Sequence, residues 1–424
     1  MLIEFTVGNF LSFKEKKTLS LVASSIKEFE DTNVISAGKD NFLTGAVIYG
    51  ANASGKSNLI KAMSTMRRLV MHFFRPSTAE LDVTPFLLNS STENSPSYFE
   101  VLFLLDDTRY RYGFEVDNII VRSEWLYHSK VNVEKPLFVR DGQDIEVMKP
   151  FSEGKNLEEK TRDNALFLTV VDQFNGTIAT KIMNWFNNFV SISGLSHERY
   201  TEVTFDMLEN ENTKPLLQKF YDNLDLGFDD LKLIKKDFDS SKLPKDFPEP
   251  LMEELSKRLE GQTIVNVRTL HKKFDSNNKQ DGVVEFDMDS QESAGTNKMF
   301  NISGPIFDVL TGGGVLVVDE LDSSLHPLLT LAITKLFNSK EHNHNNAQLI
   351  FATHDTNLLC YGTYRRDQIY FMEKDQFGVS DLYSLVEYKE DGKTVRKDRS
   401  FESDYIEGRY GAIPFVGDLS NILA

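Results

Sequence analysis

Val47-Ile48-Tyr49-Gly50-Ala51-Asn52-Ala53-Ser54-Gly55-Lys56-Ser57 carries the pattern G-x-x-x-x-G-K-[ST], with Gly50, Gly55, Lys56 and Ser57 at the fixed places. A bound triphosphate accounts for each residue type. Glycine lets successive backbone N–H groups curl around phosphate oxygens, which a Cβ would obstruct. Lys56 brings a compact positive charge to the β- and γ-phosphates, and the Ser57 hydroxyl is a hard oxygen ligand suited to Mg²⁺. Asn52, Ala53, Ser54 and Asn58 complete the expected binding segment. The flanks agree. Residues 46–49 form a short apolar run expected as a strand, and residues 57–74 are expected as a helix whose N-terminus faces the phosphates. The expected ligand is ATP with Mg²⁺.

A chain of 424 residues, 40% hydrophobic and 26% charged, has room for a large core and two or three structural units. No apolar run is long enough to span a membrane. The start Met1-Leu2-Ile3-Glu4-Phe5 lacks the basic and apolar regions of a signal peptide. Cys360 is the only cysteine, so an internal disulfide is excluded and a cytoplasmic location is expected. A net charge of −17 argues against binding nucleic acid over the whole surface. Small basic clusters at Lys14, Lys16 and Lys17, at Arg67 and Arg68, and along residues 232–236 read either as solvated faces or as the lining of a local groove for nucleic acid.

Val315-Leu316-Val317-Val318-Asp319-Glu320 sets two acids after four apolar residues, the pattern of a buried strand in a parallel α/β core. Asp319 is expected to hold Mg²⁺ with Ser57, and Glu320 to polarise the attacking water. Gln348-Leu349-Ile350-Phe351-Ala352 reads as the next strand, and His354 just beyond it is placed to hydrogen-bond the γ-phosphate. His342 and His344 fall in an Asn-rich loop and are read as surface residues. Upstream, Glu292-Ser293-Ala294-Gly295-Thr296 opens an apolar helix, expected to kink at Gly304-Pro305 and to break at Gly312-Gly313-Gly314. Ser293 and Gly295 read either as an ordinary helix start or as a second phosphate site. One chain already has its phosphate loop, so a second site would be free for a partner's nucleotide. Two copies would then sandwich two ATP molecules, making the chain a homo-oligomer, at least a dimer.

Around these motifs, residues 1–150 are expected as an N-terminal lobe holding the phosphate loop and an antiparallel β meander at 85–117. Its second strand puts Tyr110, Tyr112, Phe114 and Val116 on one face, across a turn at Asp106-Asp107-Thr108. Further strands are expected at 119–121, 124–128 and 136–139. Residues 151–260 read as a helical insertion with amphipathic stretches at 177–190, 207–224 and 248–259. Residues 261–424 return to α/β, with strand candidates at 263–274, 283–287, 368–373 and 380–385.

Gly50-Ala51-Asn52-Ala53-Ser54-Gly55-Lys56-Ser57, with asparagine at the third place, resembles the Walker A loop of AAA-family, ABC-type ATPases of the SMC, RecF and OLD (overcoming lysogenization defect) group. The other motifs fall in that group's order: signature at 293–296, Walker B at 315–320, D-loop near 322–326, switch His354. The resemblance implies an α/β fold, an ABC/SMC-type P-loop ATPase head with an antiparallel β lobe and a helical insertion. It also implies hydrolysis of ATP to ADP and phosphate, and a signature that completes the partner's site. Leu321-Asp322-Ser323-Ser324-Leu325-His326-Pro327 looks like the OLD-type pattern. Arg366-Asp367-Gln368-Ile369-Tyr370-Phe371-Met372-Glu373-Lys374 and Tyr405-Ile406-Glu407-Gly408-Arg409-Tyr410-Gly411-Ala412-Ile413-Pro414 resemble the RloA/AbiL-type ATPases of bacterial restriction and abortive-infection loci. This tail reads at least as readily as a packed C-terminal strand and turn as it does as a contact site. There are departures. Glu-Ser-Ala-Gly-Thr in place of Leu-Ser-Gly-Gly-Gln argues against a transporter subunit, and no glutamine lies between Ser57 and Arg140 to supply a Q-loop ligand. OLD nucleases append a Toprim domain, whereas about 70 residues follow His354 here and their acids do not form its pattern.

The leading expectation is therefore an ATPase of an anti-phage system that dimerises around ATP and controls a separately encoded effector, a Toprim-like nuclease. One competing reading is a DNA-repair ATPase that clamps DNA directly. Another is a slow-turnover sensor or scaffold in which ATP acts as structural glue.

Overall fold

Gly45–Gly50, the strand ahead of the phosphate loop, is buried at every position and lies inside a six-stranded sheet. The computed structural model describes residues 1–424 except 73–75, 77, 131–132, 194–199, 238–262, 361, 391 and 415–424. The strand order is Phe189–Ser193, Val315–Asp319, Gln348–Ala352, Gly45–Gly50, Ile369–Lys374, Ser380–Ser384. The first five run parallel and the sixth antiparallel. The apolar runs explain the centre: residues 315–318 and all of Gln348–Ala352 are buried, as interior parallel strands require. Gly50, Asp319 and Ala352 all end their strands at one edge, where open parallel sheets take ligands.

The helix forms at Lys56–Met71, and Leu59, Ile60, Met63, Met66, Leu69 and Val70 are its buried face, as the spacing predicts; its expected last residues, 73 and 74, lie outside the described residues. These side chains share one hydrophobic cluster with Phe99, Phe103 and Phe114 of the β lobe and with Val315, Val317 and Ile350 of the parallel sheet. The lobe is a seven-stranded antiparallel sheet ordered Asp144–Val147, Lys135–Asp141, Val121–Ser129, Thr108–Val116, Ser97–Leu105, Leu2–Gly8, Lys17–Ser20. Its central hairpin turns on only two residues, Asp106 and Asp107, at φ 48° and 55°, so Thr108 is already in strand. The two short strands expected at 119–121 and 124–128 form the single strand Val121–Ser129. The meander starts at Ser97, not 85, because one buried side chain folds the preceding segment into turns. Asn9 Nδ2 donates to the carbonyls of Thr92, Ser95 and Pro96, and its Oδ1 accepts from Phe86 N.

The expected insertion at 151–260 is divided differently. The chain forms two units, Met1–Ser196 with Ile306–Ala424, and His197–Pro305. Helices Phe167–Gln173 and Thr177–Asn187 belong to the first unit, where Trp185 stacks on Phe103 at 4.1 Å between ring centroids. Phe189–Ser193, which begins inside the stretch expected as helix, pairs with Val315–Asp319. In the second unit the stretch expected as one helix becomes Thr201–Glu209 and Lys214–Leu224. A three-stranded antiparallel sheet follows, Asp230–Asp237, Thr263–Phe274 and Gln280–Asp287. The helix expected at 248–259 lies outside the described residues. Ala294–Gly312 is one continuous helix despite Pro305 inside it. Proline removes an N–H and frees the carbonyl four residues back; that carbonyl, Asn301 O, accepts from the buried Thr204 hydroxyl at 3.2 Å, and Thr204 Oγ1 in turn accepts from Gly304 N at 3.1 Å.

Candidate nucleotide site

Two glycines let the phosphate loop sit where it does. A Cβ on Gly50 would come within 2.4 Å of Met372 O and 2.6 Å of Ser54 Oγ, so the neighbouring strand closes on the loop only because position 50 has no side chain. Gly55 has φ 115°, and a Cβ there would lie 2.3 Å from Ser380 Oγ and 2.9 Å from Ser12 Oγ. Ala53, at φ 63°, accepts the left-handed conformation without being glycine. Behind the loop runs a chain of hydroxyls. Ser380 Oγ donates to Ser54 O at 2.7 Å and lies 2.7 Å from Ser12 Oγ, which accepts from Asn58 Nδ2 at 2.7 Å.

Lys56, first residue of its helix, is buried. Its ammonium donates to Gly50 O at 2.8 Å and Ala51 O at 3.2 Å, which holds the loop closed. Burial pushes its pKa below the usual lysine value, while the carboxylates of Asp319, Glu320 and Asp322 pull it upward. An arriving polyanion would give this ammonium the partner that water no longer supplies.

The loop opens on a cavity of about 440 Å³ lined by Asn52, Ala53, Ser54, Gly55, Lys56, Ser57, Asn58, Glu320, His354 and Lys374. Three separate strands thus deliver the loop, Glu320 and His354 to one place. Glu320 takes φ 52° directly after the strand Val315–Asp319, a backbone turn that a non-glycine residue adopts only at some cost. Asp319, the strand's last residue, has a buried Oδ1 with no hydrogen-bond partner. Among the described residues no three His, Cys, Asp or Glu side chains gather to hold a metal. An orphaned carboxylate oxygen and the Ser57 hydroxyl suit Mg²⁺, which keeps waters and phosphate oxygens for most of its ligands. His354 is exposed, and its backbone N–H donates to the Asp322 carboxylate at 3.2 Å, which ties the segment after one strand to the segment after its neighbour.

Ser293 and Gly295 do not line this cavity; they belong to the second unit. Ser293 is exposed, and its Oγ accepts from Thr296 N at 3.1 Å, the bond of an N-cap. Glu292 just before it accepts from the buried Thr269 hydroxyl at 2.5 Å and meets His271 Nε2 at 2.7 Å, fixing the start of the helix to the sheet of its own unit. His326 also starts a helix: its Nδ1 accepts from Leu328 N at 3.2 Å, ahead of Pro327 at the first turn.

Sequence reasoning missed Ser12, Ser380 and Lys374, all brought to the loop from far away in the chain. The tyrosines of the C-terminal motif pack into the fold. Tyr405 stacks on Phe371 at 5.3 Å and lies 5.6 Å from Tyr49, and Tyr383 OH donates to Tyr410 O at 2.6 Å. The basic clusters are largely committed to local contacts. Lys16 sits 3.3 Å above the Tyr98 ring and Lys17 pairs with Asp381. Arg67 donates to Phe186 O and Arg68 to Leu81 O and Asp82 O. Lys232 pairs with Glu285 and Lys235 with Glu209.

Residues 46–360 match the family model described as "AAA domain, putative AbiEii toxin, Type IV TA system". No curated protein matches the chain. Among solved structures, the SMC head domain from Thermotoga maritima aligns with 14% identity over 90% of this chain and 98% of that one, at a TM-score of 0.41. No helix among the described residues is long and apolar enough to cross a membrane.

Proposed function

The chain belongs to the AAA domain family whose model it matches over residues 46–360, and from that premise we propose that it binds and hydrolyses ATP, dimerises around it, and serves as the ATPase subunit of an anti-phage system of the RloA/AbiL type. One observation carries the reading: Lys56, Ser57, Glu320 and His354, from three strand ends, line a single cavity. The loop's N–H groups and Lys56 would hold the phosphates, and Ser57 with Asp319 would hold Mg²⁺, which neutralises developing charge. Glu320 would orient the attacking water and take its proton, with His354 donating toward the γ-phosphate. A dimer completed by Ser293 and Gly295 of the partner, acting on a separately encoded nuclease in the cytoplasm, is the fuller form of the proposal. The family description, which names a toxin–antitoxin setting, supports a defence role. The DNA-clamp reading loses support because Lys16, Lys17, Arg67 and Arg68 are engaged within the fold.

The test is ATP binding and phosphate release by the purified chain with Mg²⁺. Lys56→Ala should lose binding, whereas Glu320→Gln should retain ATP and hydrolyse it about 100-fold more slowly or worse. A wild-type chain that binds no ATP, or a Glu320→Gln chain with wild-type turnover, overturns the assignment. The effector is tested separately, by co-expressing tagged Glu320→Gln chain with its neighbouring genes. A nuclease recovered in fixed ratio supports that part, and a chain recovered alone defeats it.

A further inference from the structure

The motif Arg366-Asp367-Gln368-Ile369-Tyr370-Phe371-Met372-Glu373-Lys374 ends in a cation for which the roles above have no use. Its strand, Ile369–Lys374, lies parallel to the phosphate-loop strand, with Met372 level with Gly50, so Lys374 emerges beside the loop itself. The following strand fixes it there. Lys374 is the cross-strand partner of Ser380, and Ser380 hydrogen-bonds Ser54 O of the phosphate loop. Gly55 has no Cβ to keep that serine away. Lys374 accordingly lines the cavity with Lys56, Glu320 and His354.

Its neighbours leave its charge available. Glu373 alternates to the other side of the strand, where its carboxylate meets the Tyr383 hydroxyl at 3.4 Å. Asp375 turns back on its own hairpin, accepting from Phe377 N at 2.9 Å and Val379 N at 2.8 Å. Among the described residues no side-chain hydrogen bond or ion pair uses the ammonium of Lys374, which is exposed, whereas Lys56 is already bonded to two loop carbonyls. A magnesium-bound triphosphate keeps more than one negative charge, and Lys56 alone does not balance it.

We propose that Lys374 is a second phosphate-binding residue of the nucleotide site, its ammonium contacting the triphosphate and its position set by the Ser380–Ser54 hydrogen bond. The inference rests on the nucleotide reading and deepens it. A charge-assisted hydrogen bond to phosphate predicts that Lys374→Ala weakens Mg-ATP binding about tenfold or more. Lys374→Glu should weaken it further and Lys374→Arg should largely restore it.

Calorimetric titration of the whole chain with Mg-ATP reads these affinities, with Lys56→Ala as the control for a lost site. Thermal unfolding without nucleotide should be unchanged in all three Lys374 variants, because an exposed, unpartnered lysine holds nothing in place. Ser380→Ala should give a smaller loss of the same kind. Lys374→Ala and Lys374→Glu chains that bind ATP within about twofold of wild type would overturn the inference while leaving the nucleotide site standing. A wild-type chain that binds no ATP overturns both.

Discussion

Lys56 is held between opposed demands. Burial lowers its pKa, and Asp319, Glu320 and Asp322 only partly reverse the shift. A triphosphate bound beside it favours the ammonium, so the bound state has the higher pKa of the two. Binding then takes up a proton wherever the free amine is partly neutral, and affinity falls as pH rises through the lowered pKa of the empty site. Titrating affinity from about pH 8 toward 10.5, the ordinary lysine value, should show this decline. Lys56→Arg, whose guanidinium stays charged across that window, should bind with a flatter profile; an equal slope in both chains would detach the effect from Lys56. Glu320 carries its own strain at φ 52°, of the order of 1–2 kcal/mol for a left-handed residue, and that turn directs the chain to leave its strand at the cavity.

At the level of elements, the β lobe and the helices after it are joined by a buried charge pair. Glu124, on the strand Val121–Ser129, accepts from Phe167 N at 2.6 Å and Leu168 N at 3.0 Å, so a distant carboxylate caps the helix Phe167–Gln173. It also accepts from Tyr112 OH at 2.9 Å and pairs with Arg140 at 3.6 Å, both charged side chains being fully buried. Arg140 in turn donates to Gly142 O and Ala165 O. Glu124→Gln keeps the shape and removes the charge, leaving Arg140 buried without its counterion. The expected loss is about 3–5 kcal/mol of stability, read as a lowered urea midpoint with an unchanged slope; a midpoint at the wild-type value would show the pair to be dispensable. None of this was visible in residues 151–196. Their helices read as the start of an insertion because their partners, Phe103 and Glu124, are remote in sequence.

For the whole molecule, the proposed sandwich depends on Ser293, an exposed N-cap in the second unit. A side chain as large and positive as arginine at that position should leave each chain's own loop intact. Ser293→Arg is therefore expected to bind Mg-ATP with wild-type affinity yet fail to form an ATP-dependent dimer, measured by light scattering after size exclusion in the Glu320→Gln background. Normal pairing by that variant would remove the sandwich.

The sequence alone determined which residues are candidates for the site. Gly50 to Ser57, Asp319 and Glu320, and His354 stand out as candidates because the phosphate and metal binding proposed for them would demand particular residues at fixed local spacing, directly after apolar strands. The parallel core followed from continuous runs such as Val315-Leu316-Val317-Val318, whose only stable place is an interior. Tertiary structure alone decided the strand order, the place of Phe189–Ser193 beside Val315–Asp319, and the meeting of Ser12, Asn58 and Ser380 behind the loop. It also brought Lys374 to the cavity. The contacts behind the loop join residues 46 and 368 positions apart, and a hydroxyl or a lysine has no local pattern that announces its partner. Only the packing of one strand against another, which requires glycine at 50 and 55, puts them within reach.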